Sequence, residues 1–413
     1  MLLIIILFVF YVMHIHFLLR NIFGDVSGGH FFNLYMPYTF SRDVALETLV
    51  FSVSCAVAFV IGYFFSKCKL RNQPVKSGEK LISEGYIDKS IMYLNIFLAF
   101  QIGLGLYTLC VAGLNYSAIH HLKLSMSFAV ESRIVALLLV SFVYLNKPPK
   151  EWLFEKRLRL TAILLTFYLI IAVLLQARSV VFECAAVIGF CWLMWQGNKI
   201  IIRYLVILLS AIFVPNLIVL PRFGGALDWQ TKIDGIFSFE YTVLMNNIVS
   251  SAIANNHPPL LVDFFISIPS LLIPSPLRNV LGTGITPGVA PDYFEFILED
   301  AGAFGGGFSL LAEMYMNLGW WGILMFVFFG FLIGKFIKRA SIVGGVDLLY
   351  AAAPLIYAQF IISFRNNFST FAKYSIQLIL VAMIMKYILN VTQQRRLGYL
   401  GVYSPKKTLG GAP

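Results

Sequence analysis

The chain has 413 residues, of which 59% are hydrophobic, 15% aromatic and only 12% charged, and its mean hydropathy is +0.82. So little polar surface cannot cover so much apolar side chain, which excludes a water-soluble fold and leaves an all-α polytopic membrane protein. The net charge of +11 argues for no nucleic-acid partner, because the basic residues sort by membrane side instead of forming one patch.

Ten apolar stretches are long enough to cross a hydrocarbon core of about 30 Å. They lie near 1–20, 44–66, 91–116, 128–145, 160–176, 179–197, 201–220, 308–334, 343–364 and 371–390. The first, MLLIIILFVFYVMHIHFLLR, has neither a basic leading segment nor a small-residue cleavage site, so it reads as a retained span and not a signal peptide. With the N-terminus inside, the inner loops and tail carry 21 of the 31 Lys and Arg residues, which supports ten spans with both termini cytoplasmic. Arg20 dissents, since it closes the first span on the outer side while nothing basic precedes it. The expected organisation is a single membrane domain, 1–413, with one large outer loop, 221–307, between the seventh and eighth helices and a basic tail, 391–413. No internal repeat is visible, which argues against a transporter built from related halves.

Within the large loop, DGIFSFEYTVLMNNIVSSAIAN has the pattern of an amphipathic helix. The run PPLLVDFFISIPSLLIP, broken by Pro269 and Pro274 and holding Asp263, reads as interfacial or re-entrant, since an eleventh span would put the basic tail outside. Four of the five cysteines, Cys55, Cys110, Cys184 and Cys191, fall inside apolar runs and Cys68 in a basic loop, so no disulfide framework is expected.

The charges inside the spans are few and sort to one end. Glu47, Glu131, Arg133, Arg178, Glu183, Glu313 and Arg365 all fall at the outer ends of their helices. Snorkelling alone populates both ends, so a cluster of both signs at one end points to a polar cavity open to the outer face. Arg222, Lys232 and Arg278 in the adjoining loop extend it. Arginine forks bind phosphate oxygens in pairs and keep their charge when desolvated, so Arg178, Arg278, Arg222 and Arg365 are candidates for a lipid-linked pyrophosphate. Trp229, Tyr241, Tyr293 and Phe294 are candidates for stacking on sugar rings. No Cys/His/Asp cluster has metal-ligand spacing, His14 and His16 point to different helix faces, and no phosphate-cradling glycine loop precedes a helix, so neither metal nor cofactor is expected.

Glu313 is the only charge in the stretch GGGFSLLAEMYMNLGWWGILMFVFFGFLIG. An acid inside a span costs about 2.5–3.5 kcal/mol on insertion scales, which calls for a partner or a task. Ser309, Glu313 and Asn317 recur at four-residue spacing and share one helix face. The expected place is near the outer end of the eighth helix, where the positive end of the helix dipole stabilises a carboxylate.

Three stretches, GGGFSLLAEMYMNLGWWGIL, QARSVVFE and SIPSLLIPSPLRN, resemble the Wzy-type O-antigen (oligosaccharide repeat-unit) polymerases, with EMYMNLG the most specific. The resemblance implies an inner-membrane glycosyltransferase acting at the periplasmic face, with undecaprenyl-pyrophosphate-linked oligosaccharides and membrane lipid as partners and a chain-length regulator protein beside it. For that reaction Glu313 is the expected catalytic carboxylate, as an acceptor-activating base or an acceptor-orienting group, with Asn317, Tyr315, Ser309, Glu183 and Arg133 in support. O-antigen ligases share the large outer loop and the lipid donor, but the only loop histidine, His257, precedes Pro258 and Pro259 and departs from the ligase pattern. A flippase for lipid-linked oligosaccharides needs charges along a path reaching both faces.

Overall fold

The computed structural model describes residues 2–23, 40–68, 84–113, 127–175, 177–196, 240–255, 309–341, 346–364 and 368–399, and within them every regular element is helical. They are α1 (Leu2–Phe10), α2 (His16–Phe23), α3 (Arg42–Cys68), α4 (Glu84–Ala112), α5 (Ser127–Asn146), α6 (Pro149–Phe154), α7 (Lys156–Leu174), α8 (Arg178–Gln196), α9 (Glu240–Ala254), α10 (Leu310–Leu318), α11 (Gly322–Ala340), α12 (Ala353–Ser363) and α13 (Phe368–Tyr399). Among the described residues six stretches are long and apolar enough to cross a membrane: Leu2–Leu19, Arg42–Ser66, Glu84–Ala112, Lys156–Leu174, Leu310–Ala340 and Phe371–Val391. Three shorter apolar helices, Ser132–Asn146, Val180–Gln196 and Tyr350–Ser363, pack among them. The expected span at 201–220 and most of the loop 221–307 lie outside the described residues.

Side-chain pairs give the relative direction of the helices. Gln101 donates to Ser132 and Tyr86 meets Phe142 at 5.7 Å, so α4 and α5 run antiparallel. Asp88 pairs with Arg157 at 2.5 Å and Thr161 donates to Asn95 at 2.7 Å, so α4 and α7 run parallel. Arg133 meets Glu183 and Trp195 donates to the Tyr144 carbonyl, so α5 and α8 run parallel. Phe360 meets Phe371 where α12 turns into α13. The pattern gathers the first residues of α3, α5, α8, α11 and α13 at one end of the bundle. Lys147, Arg157, Arg339 and Lys386 are at the other. That alternation is the one a chain crossing back and forth requires.

The tightest seam joins α3 to α11, and it is built on absent side chains. Ala58, Gly62 and Ser66 recur every four residues on α3, and Gly330 and Gly334 do so on α11. A Cβ on Gly62 would lie 2.7 Å from the Val327 carbonyl carbon, and one on Gly330 would lie 2.9 Å from both the Phe59 carbonyl carbon and the Tyr63 nitrogen. Small residues at this spacing let helix backbones touch, and in lipid that packing replaces the hydrophobic drive between helices.

Two parts of the bundle depart from the sequence reading. The apolar stretch after Phe308 does not continue as one helix. Gly319 adopts φ 57° and ψ −140°, a region only glycine enters readily, and a single 3₁₀ turn, Gly319–Trp321, separates α10 from α11. A Cβ on Gly322 would lie 2.7 Å from the Met314 carbonyl oxygen, whereas eight residues of straight helix would put them about 12 Å apart, so the chain bends sharply. The second is α9. Its side chains from Met245 to Ile253 are buried among α2, α3, α10 and the turn after α1, and only Ala254 at its end is exposed, so it has no solvent-facing polar side over that length.

Candidate functional site

Every residue of α10 is buried, and Glu313 in its first turn is 1% exposed. The carboxylate therefore lies inside the bundle, in the first turn of its helix. Its Oε2 accepts the main-chain N–H of Phe368, the first residue of α13. Glu313 thus stands at the N-termini of two helices, its own and α13, and their unpaired N–H groups favour a negative charge there.

The expected face of Ser309, Glu313 and Asn317 exists, with all three side chains buried. Asn317 donates to the main-chain carbonyl of Glu313 at 2.7 Å, and the Ser309 hydroxyl has no hydrogen-bond partner among the described residues. Tyr315 faces away from the carboxylate toward α3, edge-on to Phe51 at 5.1 Å and near Trp320 at 6.3 Å. It packs; it does not support Glu313 directly.

A second polar cluster ties four helices together at the same end of the bundle. Arg133 Nε on α5 lies 3.5 Å from Glu183 Oε2 on α8, and Gln359 of α12 donates to Glu183 Oε1 at 2.7 Å. The Tyr374 hydroxyl of α13 faces the same carboxylate. Glu183 is 1% exposed, so the pair is worth little unless hydrogen bonds complete it, and Gln359 supplies the shortest of them. Sequence reasoning found Arg133 and Glu183 through their charge and missed Gln359 and Tyr374, which are neutral residues inside apolar runs.

The turn between α1 and α2 carries a third missed feature. Tyr11–Ile15 forms a π turn, whose wider winding displaces carbonyls from their usual partners. Asn246 of α9 donates to one of them, Met13, at 3.1 Å. The same turn brings His14 inward, fully buried between the rings of Phe10 and Phe364. His16 is on the exposed side, which agrees with the two histidines pointing to different faces.

Arg178 is the first residue of α8, at the same end as Arg133 and Glu183; its side chain is outside the described residues. Arg222, Arg278, Arg365, Lys232, Trp229, Tyr293 and Phe294 are outside them too, as are the side chains of Tyr241 and Glu131. Among the described residues no three His, Cys, Asp or Glu side chains are grouped to hold a metal. What the site offers chemically is a buried carboxylate fixed by a main-chain donor, and a guanidinium held by a second carboxylate on neighbouring helices.

No protein-family model matches the chain, and no curated protein or solved structure shows a match to it.

Proposed function

We propose that the chain is a bacterial inner-membrane glycosyltransferase that polymerises undecaprenyl-pyrophosphate-linked oligosaccharide repeat units into O-antigen or a related surface polysaccharide. In this reading the chain crosses the membrane ten times with both termini in the cytoplasm, residues 221–307 face the periplasm, and the end of the bundle that holds Glu313, Arg133 and Glu183 is the periplasmic end. The observation that carries the proposal is the position of Glu313. Within the most specific of the three resembling stretches, a carboxylate is buried in an apolar bundle and held by a main-chain donor at the start of α13.

The chemistry follows from that placement. The acceptor hydroxyl of one lipid-linked repeat unit attacks the anomeric carbon of another, a new carbon–oxygen bond forms there, and the bond to the pyrophosphate oxygen breaks. Glu313 takes the hydroxyl proton. Undecaprenyl pyrophosphate leaves, and cationic groups balance its growing charge: Arg178, Arg278, Arg222 and Arg365 are the proposed contacts, with Arg133 set in place by Glu183. Fixed dipoles and guanidinium groups in a water-poor site stabilise a leaving pyrophosphate without reorganising.

The test uses purified protein in proteoliposomes supplied with undecaprenyl-pyrophosphate-linked repeat units, with product length read on gels. The parent should make ladders of two and more repeats. Glu313→Gln keeps an oxygen for the Phe368 N–H but cannot take a proton, so transfer should slow by about a hundredfold to ten-thousandfold. Wild-type ladders from folded Glu313→Gln protein would make the carboxylate structural and remove the catalytic assignment.

A further inference from the structure

The amide of Asn317 has a fixed orientation. Its nitrogen donates to the main-chain carbonyl of Glu313, one turn earlier on α10, at 2.7 Å. A carbonyl can only accept, so the amide cannot be turned end for end, and Asn317 Oδ1 is left as a pure acceptor. That oxygen is buried and has no hydrogen-bond partner among the described residues. On the turn before Glu313, Ser309 holds the N-cap position of α10, where a serine ordinarily bonds an N–H of the first turn. Here it makes no such bond, and its hydroxyl is likewise buried and without a partner among the described residues.

Neither residue is explained by the local structure of α10. In an α-helix the carbonyl of residue 313 already takes the main-chain N–H of residue 317, so the Asn317 amide adds a second donor where one is enough. Leucine at either position would fill the apolar bundle without burying polar atoms that find no partner. The other side of α10 is committed to packing: Tyr315 stands against Phe51 of α3, and the Met314 carbonyl sits against Gly322. Four-residue spacing puts Ser309 and Asn317 on the Glu313 face, with Cβ atoms about 5–6 Å from its own. The buried carboxylate is thus flanked by a hydroxyl on one turn and by an acceptor-only oxygen on the other.

We infer that Ser309, Glu313 and Asn317 form the acceptor-sugar subsite, in which Asn317 Oδ1 accepts a second hydroxyl of the ring whose first hydroxyl gives its proton to Glu313. The inference rests on the polymerase reading. A sugar ring presents several hydroxyls, and a base alone does not choose among them. A second acceptor at a fixed distance does, because only one pair of hydroxyls reaches both oxygens in the attacking pose. The first hydroxyl loses its proton and forms the new carbon–oxygen bond; the second keeps its proton and only binds. Ser309, which both donates and accepts, gives the ring a third contact. Asn317 thereby sets which linkage is made. The face is closed to solvent here, so the acceptor enters by an opening motion, and closure keeps water from competing for the base.

The test uses the full-length protein in proteoliposomes, with donor units purified from cells that lack it. Acceptors are synthetic versions of the same lipid-linked unit in which each hydroxyl of the acceptor sugar in turn is replaced by hydrogen. Apart from loss of the nucleophile itself, one such deletion should raise the acceptor KM of the parent about tenfold with kcat little changed. Asn317→Ala should raise the KM for the intact acceptor by a similar factor and be indifferent to that one deletion. Its product should also carry linkages at a second hydroxyl, read by methylation analysis, which a loss of folded protein does not produce. Equal sensitivity to every deletion in Asn317→Ala and the parent overturns the inference. So does a parent that tolerates every deletion except that of the nucleophile, a result read on unaltered protein whether or not the variant folds. A parent that makes no ladders from intact units removes the polymerase reading itself, and the subsite with it.

Discussion

Gly330→Ala tests whether the α3–α11 seam depends on backbone contact. The added Cβ would fall 2.9 Å from the Phe59 carbonyl carbon and the Tyr63 nitrogen, while carbon contacts settle at about 3.5–4.0 Å. The Phe59 carbonyl oxygen lies closer still to the added Cβ, so the helices must separate locally by roughly 1 Å or more, a gap that forfeits about half of each contact's attraction. The loss falls in the range of measured overpacking costs, about 1–3 kcal/mol. Alanine also favours the helix by up to about 1 kcal/mol, which masks part of the loss. Gly103→Ala removes that ambiguity, because position 103 is helical and a Cβ there meets nothing within 4 Å. The difference between the two variants isolates the packing cost. Steric-trapping measurements of unfolding free energy in bicelles should place Gly330→Ala about 1–3 kcal/mol below Gly103→Ala. Equal stabilities would mean that the seam yields freely and that backbone contact does not set it.

Other outcomes follow from the polar cluster and the proposed site. Glu183→Gln leaves the Arg133 guanidinium uncompensated in the bundle and should cost about 3–5 kcal/mol, most of it recovered when Arg133→Met is added; additive losses in the double variant would refute the pairing. Arg178→Lys keeps the charge but loses the planar fork, so in the polymerisation assay it should fail nearly as badly as Arg178→Ala, and full ladders from the alanine variant would remove Arg178 from the site. Single cysteines at positions 229 and 405 in a cysteine-free background should react with impermeant reagents from opposite sides of the membrane; labelling from the same side would end the ten-span topology.

The long apolar helices were legible because a bilayer demands runs that nothing else in a sequence produces, and α1, α3, α4, α7 and α13 lie where those runs are. Their ends were less so. Helix α4 starts at Glu84, well ahead of the apolar run, because Asp88 reaches Arg157 beyond the apolar section. The break at Gly319 was hidden by composition, since hydropathy stays high from Leu310 to Ala340. A glycine two residues after Asn317 was nevertheless a helix-stop signal. Helix α9 lies within the stretch read as an amphipathic helix, but its Asn246, Asn247, Ser250 and Ser251 are buried, and inside a bundle such residues bind other helices, as Thr48 binds Ser250 at 2.9 Å. The site was half legible. Charge exposed Glu313, Glu183 and Arg133, but nothing in a single sequence pairs Glu313 with an N–H 55 positions away, or Glu183 with Gln359.

The proposed polymerisation is tested most directly by the lipid-linked glycans that accumulate in cells lacking the protein, released from undecaprenyl pyrophosphate and sized by mass spectrometry. A polymerase predicts a single repeat unit on the lipid, with longer chains restored by the wild-type gene and not by the Glu313→Gln variant. Finished polymer held on undecaprenyl pyrophosphate and never passed to its final acceptor would contradict the account and point to a ligase.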